Sequence, residues 1–257
     1  MNPSNPLHTQ TEPADVTGYR QALHRLSAAQ KTTVGAPAYS RFVNRPLGRR
    51  CAAVAFVLGL TPNGVTAMSA ACSFVGIAAL ALVSPSWWLG LLVAFLLALG
   101  YVLDAADGQL ARLRGGGSLS GEWLDHVVDA AKISSLHLAV LISTYRFLDL
   151  DPLWLLVPIA FTAVANVTFF AMILNGLLRD RHVARTGHAV VRPAPSTVRS
   201  VLVIPTDYGL LCLIFVLLGW PGLFFGAYTA IFLCSTGFLA LALVKWFRDM
   251  HALGLRS

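Results

Sequence analysis

Acidic residues are scarce in this sequence, yet they cluster where they could hold cations. Five of the twelve Asp and Glu residues fall within 26 positions: Asp104, Asp107, Glu122, Asp125 and Asp129. Carboxylates this close together cannot all stay ionised without a counter-ion. Oxygen ligands of this kind select Mg²⁺ or Mn²⁺, and also suit Ca²⁺. The cluster therefore predicts a divalent-cation site.

The spacing of the aspartates places them on the faces of two helices. At about 100° per residue, Asp104 and Asp107 share one face of the first helix. Asp125 and Asp129 are four residues apart and share one face of the next. The linker 115–118 is Gly-Gly-Gly-Ser, which lets the second helix turn back on the first. We therefore expect the two pairs of carboxylates to converge.

Small and basic residues accompany the aspartates. Gly108 and Ala111 lie on the same helix face as the first pair and leave room for a ligand. Arg112 adds a guanidinium, which suits bidentate binding of phosphate. Carboxylate-held cations beside an arginine are typical of a diphosphate site.

The composition indicates a polytopic membrane protein. Of the 257 residues, 56% are apolar or aromatic and only 12% are charged. A soluble domain with so few polar residues could not cover its surface, and the apolar bulk also argues against nucleic-acid binding. The four cysteines stand singly in apolar runs, so no disulfide framework, zinc site or redox motif is indicated.

Six apolar runs are long enough, or nearly so, to cross the roughly 30 Å hydrocarbon core of a membrane. They fall near residues 63–83, 87–112, 121–148, 152–178, 205–219 and 222–247, and the fifth is the shortest. We therefore predict an all-α membrane protein with six transmembrane helices. The catalytic domain is predicted to span residues 61–250, with Thr61 capping its first helix.

Two segments precede the spans. Residues 1–38 are polar, lack the pattern of a signal peptide and are interpreted as a cytosolic tail with a short amphipathic helix near 17–31. Residues 39–60 alternate arginines with apolar residues, which predicts an amphipathic helix lying in the membrane interface.

The basic residues predict the orientation. The net charge is +7, and arginine supplies most of it. Arg112 and Arg114 fall between spans two and three, and a larger group lies between spans four and five: Arg179, Arg181, Arg185, Arg192 and Arg199. By the positive-inside rule, both termini and the acidic site face the cytoplasm, and we expect a bacterial inner membrane.

The order of these residues resembles a known family signature. The fixed positions run Asp104-x2-Asp107-Gly108-x2-Ala111-Arg112-x8-Gly121-x3-Asp125-x3-Asp129. Every one matches the signature of the CDP-alcohol phosphatidyltransferase family. Leu60-Thr61-Pro62-Asn63-x2-Thr66 also resembles the start of the first span in that family.

The resemblance implies a six-helix fold, usually homodimeric, that transfers a substituted phosphate from a CDP-alcohol to a hydroxyl and releases CMP. It implies two divalent ions, Mg²⁺ or Mn²⁺, held by Asp104, Asp107, Asp125 and Asp129. Asp129 is also the candidate general base. The CDP moiety would be bound by Asn63, Thr66, Asp107, Gly108, Ala111, Arg112 and Gly121.

Candidate acceptor-binding residues are basic. Lys132, Arg181, Arg185, Arg192 and Arg199 could bind the phosphate of a phosphorylated alcohol. Two alternatives remain open at this stage. Lys132 could equally form an i, i+3 ion pair with Asp129, and the arginine-rich loop could equally contact anionic lipid headgroups.

The first choice of reaction uses CDP-diacylglycerol as donor and a polyol or polyol phosphate as acceptor, in phospholipid biosynthesis. A runner-up reverses the roles, so that a soluble CDP-alcohol donates its headgroup to a lipid or polyol. A cation-coupled transporter would also place acids in a membrane. That reading leaves the positions of Gly108, Ala111 and Arg112 unexplained. The intact set of four aspartates argues against a non-catalytic relative.

Overall fold

The described part of the computed structural model is built from helices. The structure describes residues 18–28, 37–187 and 206–254, and no strand occurs within these ranges. The helices are α1 (Tyr19–Ala28), α2 (Arg45–Val57), α3 (Pro62–Leu82), α4 (Trp87–Leu113), α5 (Leu119–Phe147), α6 (Leu156–Thr186), α7 (Tyr208–Ile214) and α8 (Pro221–Gly254). A π-helical turn (Ser40–Asn44) leads into α2, and 3₁₀ turns precede α6 (Pro152–Leu155) and follow α7 (Phe215–Gly219). The predicted all-α class is confirmed for the described residues.

Within those ranges, five helices are long and apolar enough to cross a membrane. They are α3, α4, α5, α6 with its 3₁₀ turn, and α8. The predicted fifth span corresponds to the apolar segment Tyr208–Gly219, which is shorter than the roughly 20 residues that a span requires. Within the described residues the structure therefore supports a helical membrane protein, and the sixth full-length span remains a prediction.

Two helices run farther than the predicted spans. The sequence places the ends of spans four and six at residues 178 and 247, whereas α6 continues to Thr186 and α8 to Gly254. The added turns contain charged residues. Hydropathy marks where the apolar stretch ends, but a helix continues for as long as its backbone hydrogen bonds are favourable.

Local sequence explains where the helices of the site begin. The Thr61 hydroxyl accepts a hydrogen bond from the Gly64 N–H at 3.1 Å, with Pro62 in the first helical turn of α3. The Ser118 hydroxyl accepts from the Gly121 N–H at 3.0 Å and caps α5. These side chains satisfy amide donors that a helix start leaves unpaired. The predicted cap at Thr61 is confirmed.

A glycine turn joins α4 to α5. Gly115 and Gly116 have φ of +93° and +128°, a region that residues with a Cβ rarely adopt. The chain reverses within this turn, so α5 returns along α3, and its Lys132 side chain reaches Asp104 on α4. The glycine turn thus reverses the chain, as the sequence predicts for residues 115–118.

The basic amphipathic segment packs against α4. The Asn44 side-chain amide donates to the Tyr101 carbonyl at 3.1 Å. A Cβ on Gly48 would lie 2.9 Å from the Ala105 Cβ, so only glycine allows the two helices to approach this closely. Helical structure in 39–60 is confirmed from Ser40 to Val57. Its placement in a membrane interface remains a prediction.

Two apolar clusters hold the helices together. The larger joins α3, α4, α5, α8 and the 3₁₀ turn after α7 through fully buried Leu80, Leu97, Leu136, Phe215 and Tyr228. The smaller surrounds the end of α4 that carries the aspartates, and it includes Ala22 and Leu26 of α1. Helix α1 therefore confirms the short amphipathic helix predicted near 17–31.

The two ends of the bundle differ chemically. Four of the six tryptophans lie at the end remote from the aspartates, where the rings of Trp87 and Trp220 are 4.3 Å apart, whereas the exposed Trp123 lies at the aspartate end. Asp104 lies about 25 Å along α4 from Trp87, at 1.5 Å per residue. Trp154 and Trp88 lie at the same end and are exposed. Aromatic belts of this kind are typical of a membrane–water interface.

Candidate metal and diphosphate site

Three aspartates converge at one point between α4 and α5. Carboxylate oxygens of Asp104, Asp107 and Asp125 all lie within 4.8 Å of one another. At 1.5 Å per residue, Asp104 lies about 14 Å along α4 from the last residue of that helix, Leu113. Three hard oxygen donors at this spacing could hold one divalent cation.

Helix α3 fixes the orientation of the most buried carboxylate of the three. The Thr66 hydroxyl donates to Asp107 Oδ2 at 2.6 Å. Both residues are about 5% exposed or less, so water does not compete with this contact. The hydrogen bond holds one oxygen of Asp107 and keeps the carboxylate turned toward the other two.

Asp129 joins the cluster through a lysine. The Lys132 ammonium lies 2.6 Å from Asp104 Oδ1 and 3.1 Å from Asp129 Oδ1. Of the two alternatives that the sequence leaves open for Lys132, the ion pair with Asp129 is present. The second contact, to Asp104 on the neighbouring helix, is not apparent from the sequence.

A pocket opens beside the carboxylates. It has a volume of about 170 Å³ and is lined by Arg45, Asp104, Ala105, Asp107, Gly108, Gln109, Arg112 and Asp125. Acidic and basic groups therefore share one small space. A cation on the carboxylates and the guanidinium groups of Arg45 and Arg112 could together bind a diphosphate, whose negative charges need several partners.

Arg45 and Gln109 are pocket residues that the sequence analysis missed. Arg45 falls in the basic segment that was assigned to the membrane interface. The Gln109 side chain donates to the Arg45 carbonyl at 3.2 Å, which ties the start of α2 to α4. The sequence signal that could have indicated the packing of α2 was Gly48, a small residue that allows close helix packing. Nothing in the sequence identified its partner as Ala105.

The residues predicted to bind CDP divide into two groups. Asp107, Gly108 and Arg112 line the pocket, whereas the other four are absent from its lining: Asn63, Thr66, Ala111 and Gly121. A Cβ on Gly121 would lie 3.0 Å from the Asn63 side-chain oxygen. Gly121 therefore allows the starts of α3 and α5 to approach closely.

The predicted acceptor residues are not gathered in this pocket. Arg181 and Arg185 are exposed near the end of α6. Arg192 and Arg199 lie outside the described residues. Lys132 is the one predicted acceptor residue that the described structure places among the aspartates.

Three other polar residues of α5 lie outside the pocket lining. Glu122 is exposed in the first turn of α5. The ring of His126 lies 6.4 Å from that of Phe169. His137 is 2% exposed, and its Nδ1 lies 2.7 Å from the Tyr228 hydroxyl. Both histidines therefore have packing partners on other helices.

Asp207 caps α7. Its carboxylate accepts from the Gly209 N–H at 3.0 Å. It also accepts from the Ser40 N–H at 3.1 Å, which links the segment before α2 to the start of α7. This second contact joins parts of the chain 167 residues apart.

Comparison with known proteins identifies the family of this chain. The sequence model of the CDP-alcohol phosphatidyltransferase family matches residues 59–244. The crystal structure of the phosphatidylinositol phosphate synthase of Mycobacterium tuberculosis, in complex with manganese and citrate, is similar at 21% identity. That match covers 80% of this chain and 89% of the other, with a TM-score of 0.46. No curated protein sequence matches significantly. Because the family match spans most of the chain and contains all the aspartates of the site, the chain belongs to the CDP-alcohol phosphatidyltransferase family.

Proposed function

We propose that this CDP-alcohol phosphatidyltransferase transfers a phosphatidyl group from CDP-diacylglycerol to the hydroxyl of a polyol or polyol phosphate, releasing CMP. Family membership supports the enzyme class and its place in phospholipid synthesis. The observation that carries the proposal is the convergence of Asp104, Asp107 and Asp125 on a pocket that also contains Arg45 and Arg112.

The residues present fit a divalent cation. Asp104, Asp107 and Asp125 supply carboxylate oxygens, which suit Mg²⁺ and Mn²⁺. Asp129 stands beside them and is the proposed ligand of a second ion. Bound ions would neutralise the diphosphate and stabilise the oxygen of the departing CMP.

The protein's own groups bind the donor and move one proton. Arg45 and Arg112 would hold the diphosphate, and Gly108 leaves space for it beside the carboxylates. Asp129 accepts the proton of the acceptor hydroxyl. The hydroxyl oxygen forms a bond to the phosphorus that carries diacylglycerol, and the bond from that phosphorus to the oxygen of CMP breaks. Positioning and charge neutralisation supply most of the rate.

The acceptor is proposed to be a polyol or polyol phosphate because the chain is rich in arginine near the site end of α6. Arg181 and Arg185 lie there in the described structure. The predicted partners Arg192 and Arg199 follow in sequence. An anionic acceptor would be attracted to this side of the bundle.

Two alternatives are weaker. A soluble CDP-alcohol could donate its headgroup, because the pocket residues are suited to bind the diphosphate and do not select the alcohol. A cation-coupled transporter is disfavoured by Lys132, whose ammonium lies between Asp104 and Asp129 where a transported cation would pass.

The proposed setting is the cytoplasmic face of a bacterial inner membrane, with the enzyme as a homodimer. The arginine-rich end of the bundle contains the site. Excess basic charge on one side supports a cytoplasmic orientation for that side.

The test is CMP release by the purified protein in detergent with CDP-diacylglycerol. The acceptor panel holds glycerol 3-phosphate, inositol 1-phosphate, inositol and serine, each with Mg²⁺, Mn²⁺ or EDTA. We expect metal-dependent CMP release with one phosphorylated polyol and none with EDTA. Release unaffected by EDTA would contradict the metal site. If the protein binds CDP but releases no CMP with any acceptor of the panel, the result would favour the headgroup-donor alternative.

A further inference from the structure

The Lys132 ammonium lies inside the carboxylate cluster and uses all of its donors there. It contacts Asp104 Oδ1 at 2.6 Å, Asp129 Oδ1 at 3.1 Å and the Ser69 hydroxyl at 3.1 Å. An ammonium group has three N–H donors, so these three acceptors satisfy it fully. Lys132 is therefore not placed to bind a phosphate without first breaking a buried contact.

The third contact, to Ser69, shows that the packing of α3 helps to fix the position of the Lys132 ammonium. The Ser69 hydroxyl donates to the Gly100 carbonyl at 2.8 Å, so its oxygen is left to accept from Lys132. Ser69 is fully buried, and the Lys132 side chain is 7% exposed. A Cβ on Gly100 would collide with the Ser73 hydroxyl, so this glycine allows α3 to supply Ser69 at this depth.

The ammonium also neutralises the negative charge that would otherwise attract a second divalent ion. Asp104 belongs to the carboxylates proposed for the first ion, Asp129 is the proposed ligand of the second, and Lys132 bridges them. A dication placed between the same two oxygens would lie within contact distance of a positive charge. At such a distance, in a site with little water, the repulsion is strong.

We infer that Lys132 is a resident cation that occupies the Asp129 side of the site, so that the substrate-free chain binds one divalent ion, on Asp104, Asp107 and Asp125. The inference rests on the proposed metal site and deepens it. A second divalent ion binds only when it displaces the ammonium from Asp104 and Asp129. Lys132 is thus a positioning residue that sets how many ions the resting site holds.

The test is the number of Mn²⁺ ions bound per chain by the purified, substrate-free protein, measured by electron paramagnetic resonance of free Mn²⁺. For the wild type we expect one tight ion and a second that binds at least about tenfold more weakly. Lys132→Met removes the charge and is expected to bind two ions with similar affinity. Lys132→Arg keeps the charge and is expected to bind one.

Two further variants complete the design. Lys132→Gln removes the charge but keeps a donor for Asp129 and Ser69, so it serves if Lys132→Met does not fold, and it too is expected to bind two ions. Lys245→Met is the matched control, because Lys245 is an exposed lysine that lies 3.9 Å from Asp249, outside the site. It is expected to bind one ion, as the wild type does.

The outcomes separate this inference from the proposed function. Two equivalent ions on the wild type, or one ion on Lys132→Gln and Lys132→Met, would overturn the inference while leaving the enzymatic proposal intact. Absence of any bound Mn²⁺ on the wild type would overturn the inference and the proposed metal site together.

Discussion

The Thr66 hydroxyl donates to Asp107 Oδ2 across 2.6 Å, and this bond couples α3 to the carboxylate cluster of α4. Thr66 is absent from the lining of the pocket, although the family resemblance assigns it to CDP binding. Its contact with Asp107 suggests that it acts on the metal site through the carboxylate.

Thr66→Val tests that role. Valine keeps the shape of threonine but removes the donor, so Asp107 loses the group that holds its orientation. Loss of such supporting hydrogen bonds typically weakens metal affinity by about 10–100-fold. We expect a comparable increase in the Mn²⁺ concentration that half-saturates CMP release, with a smaller change in the rate at saturating Mn²⁺.

Two controls accompany this variant. Thr66→Ser keeps the hydroxyl and is expected to restore metal affinity. Thr168→Val removes a hydroxyl of α6 that donates only to the Val164 carbonyl within its own helix, and it should leave the Mn²⁺ dependence unchanged. An unchanged Mn²⁺ dependence in Thr66→Val would show that Asp107 does not need this donor.

Asp129→Asn tests the proposed general base. Asparagine retains an oxygen for Lys132 but cannot accept the proton of the acceptor hydroxyl. General-base catalysis is typically worth about 10²–10⁴-fold, so we expect turnover to fall by that order. Elution as a single peak and unchanged thermal unfolding would show that the fold is intact.

The matched control for this change is Asp249→Asn. Asp249 pairs with Arg179 at 3.0 Å near the end of α8 and lies outside the pocket. We expect it to retain nearly full activity. Turnover of Asp129→Asn equal to that of Asp249→Asn would refute the role of Asp129.

Helical periodicity and the glycine linker were sufficient to predict the centre of the site. The convergence of Asp104, Asp107 and Asp125 depends only on regular helix geometry and on a turn that reverses the chain. Both features can be predicted from residue types. The cap at Thr61 is equally local. These features are predictable because they involve residues close together in the chain.

The missed features depend on contacts between distant segments. Arg45 reaches the pocket because α2 packs on α4 at Gly48, and the sequence does not specify that pairing. Lys132 contacts Asp104 because α4 and α5 meet at one particular register. Helices α6 and α8 continue past the predicted apolar runs, because hydropathy indicates how far the apolar stretch extends and not where the helix ends.

The buried pair His137 and Tyr228 is expected to support stability and not catalysis. Tyr228 is fully buried, and its hydroxyl lies 2.7 Å from His137 Nδ1, within the core that joins α5 to α8. Tyr228→Phe leaves a buried imidazole nitrogen without its partner, which costs about 1–3 kcal/mol. We expect a lower midpoint of thermal unfolding in detergent, while CMP release below that temperature stays near the wild-type rate. A loss of activity without loss of stability would instead assign the pair to the reaction.

Arg45→Met tests the pocket residue that the sequence analysis missed. If Arg45 helps to hold the diphosphate, its removal weakens donor binding, and one charge-assisted hydrogen bond is worth about 1.5–3 kcal/mol. We therefore expect KM for CDP-diacylglycerol to rise by about 10–100-fold, and inhibition by added CDP to weaken in parallel.

The control for Arg45→Met is Arg50→Met. Arg50 lies on the same helix and carries the same charge, but it is exposed and absent from the pocket lining. Both variants lower the positive charge of the segment by one, so a general attraction of α2 to anionic lipid or donor would affect them equally. A KM increase confined to Arg45→Met would place its guanidinium on the donor. Equal increases in the two variants would show that the segment acts through its overall charge, and the diphosphate would then rely on Arg112 and the carboxylate-bound cation.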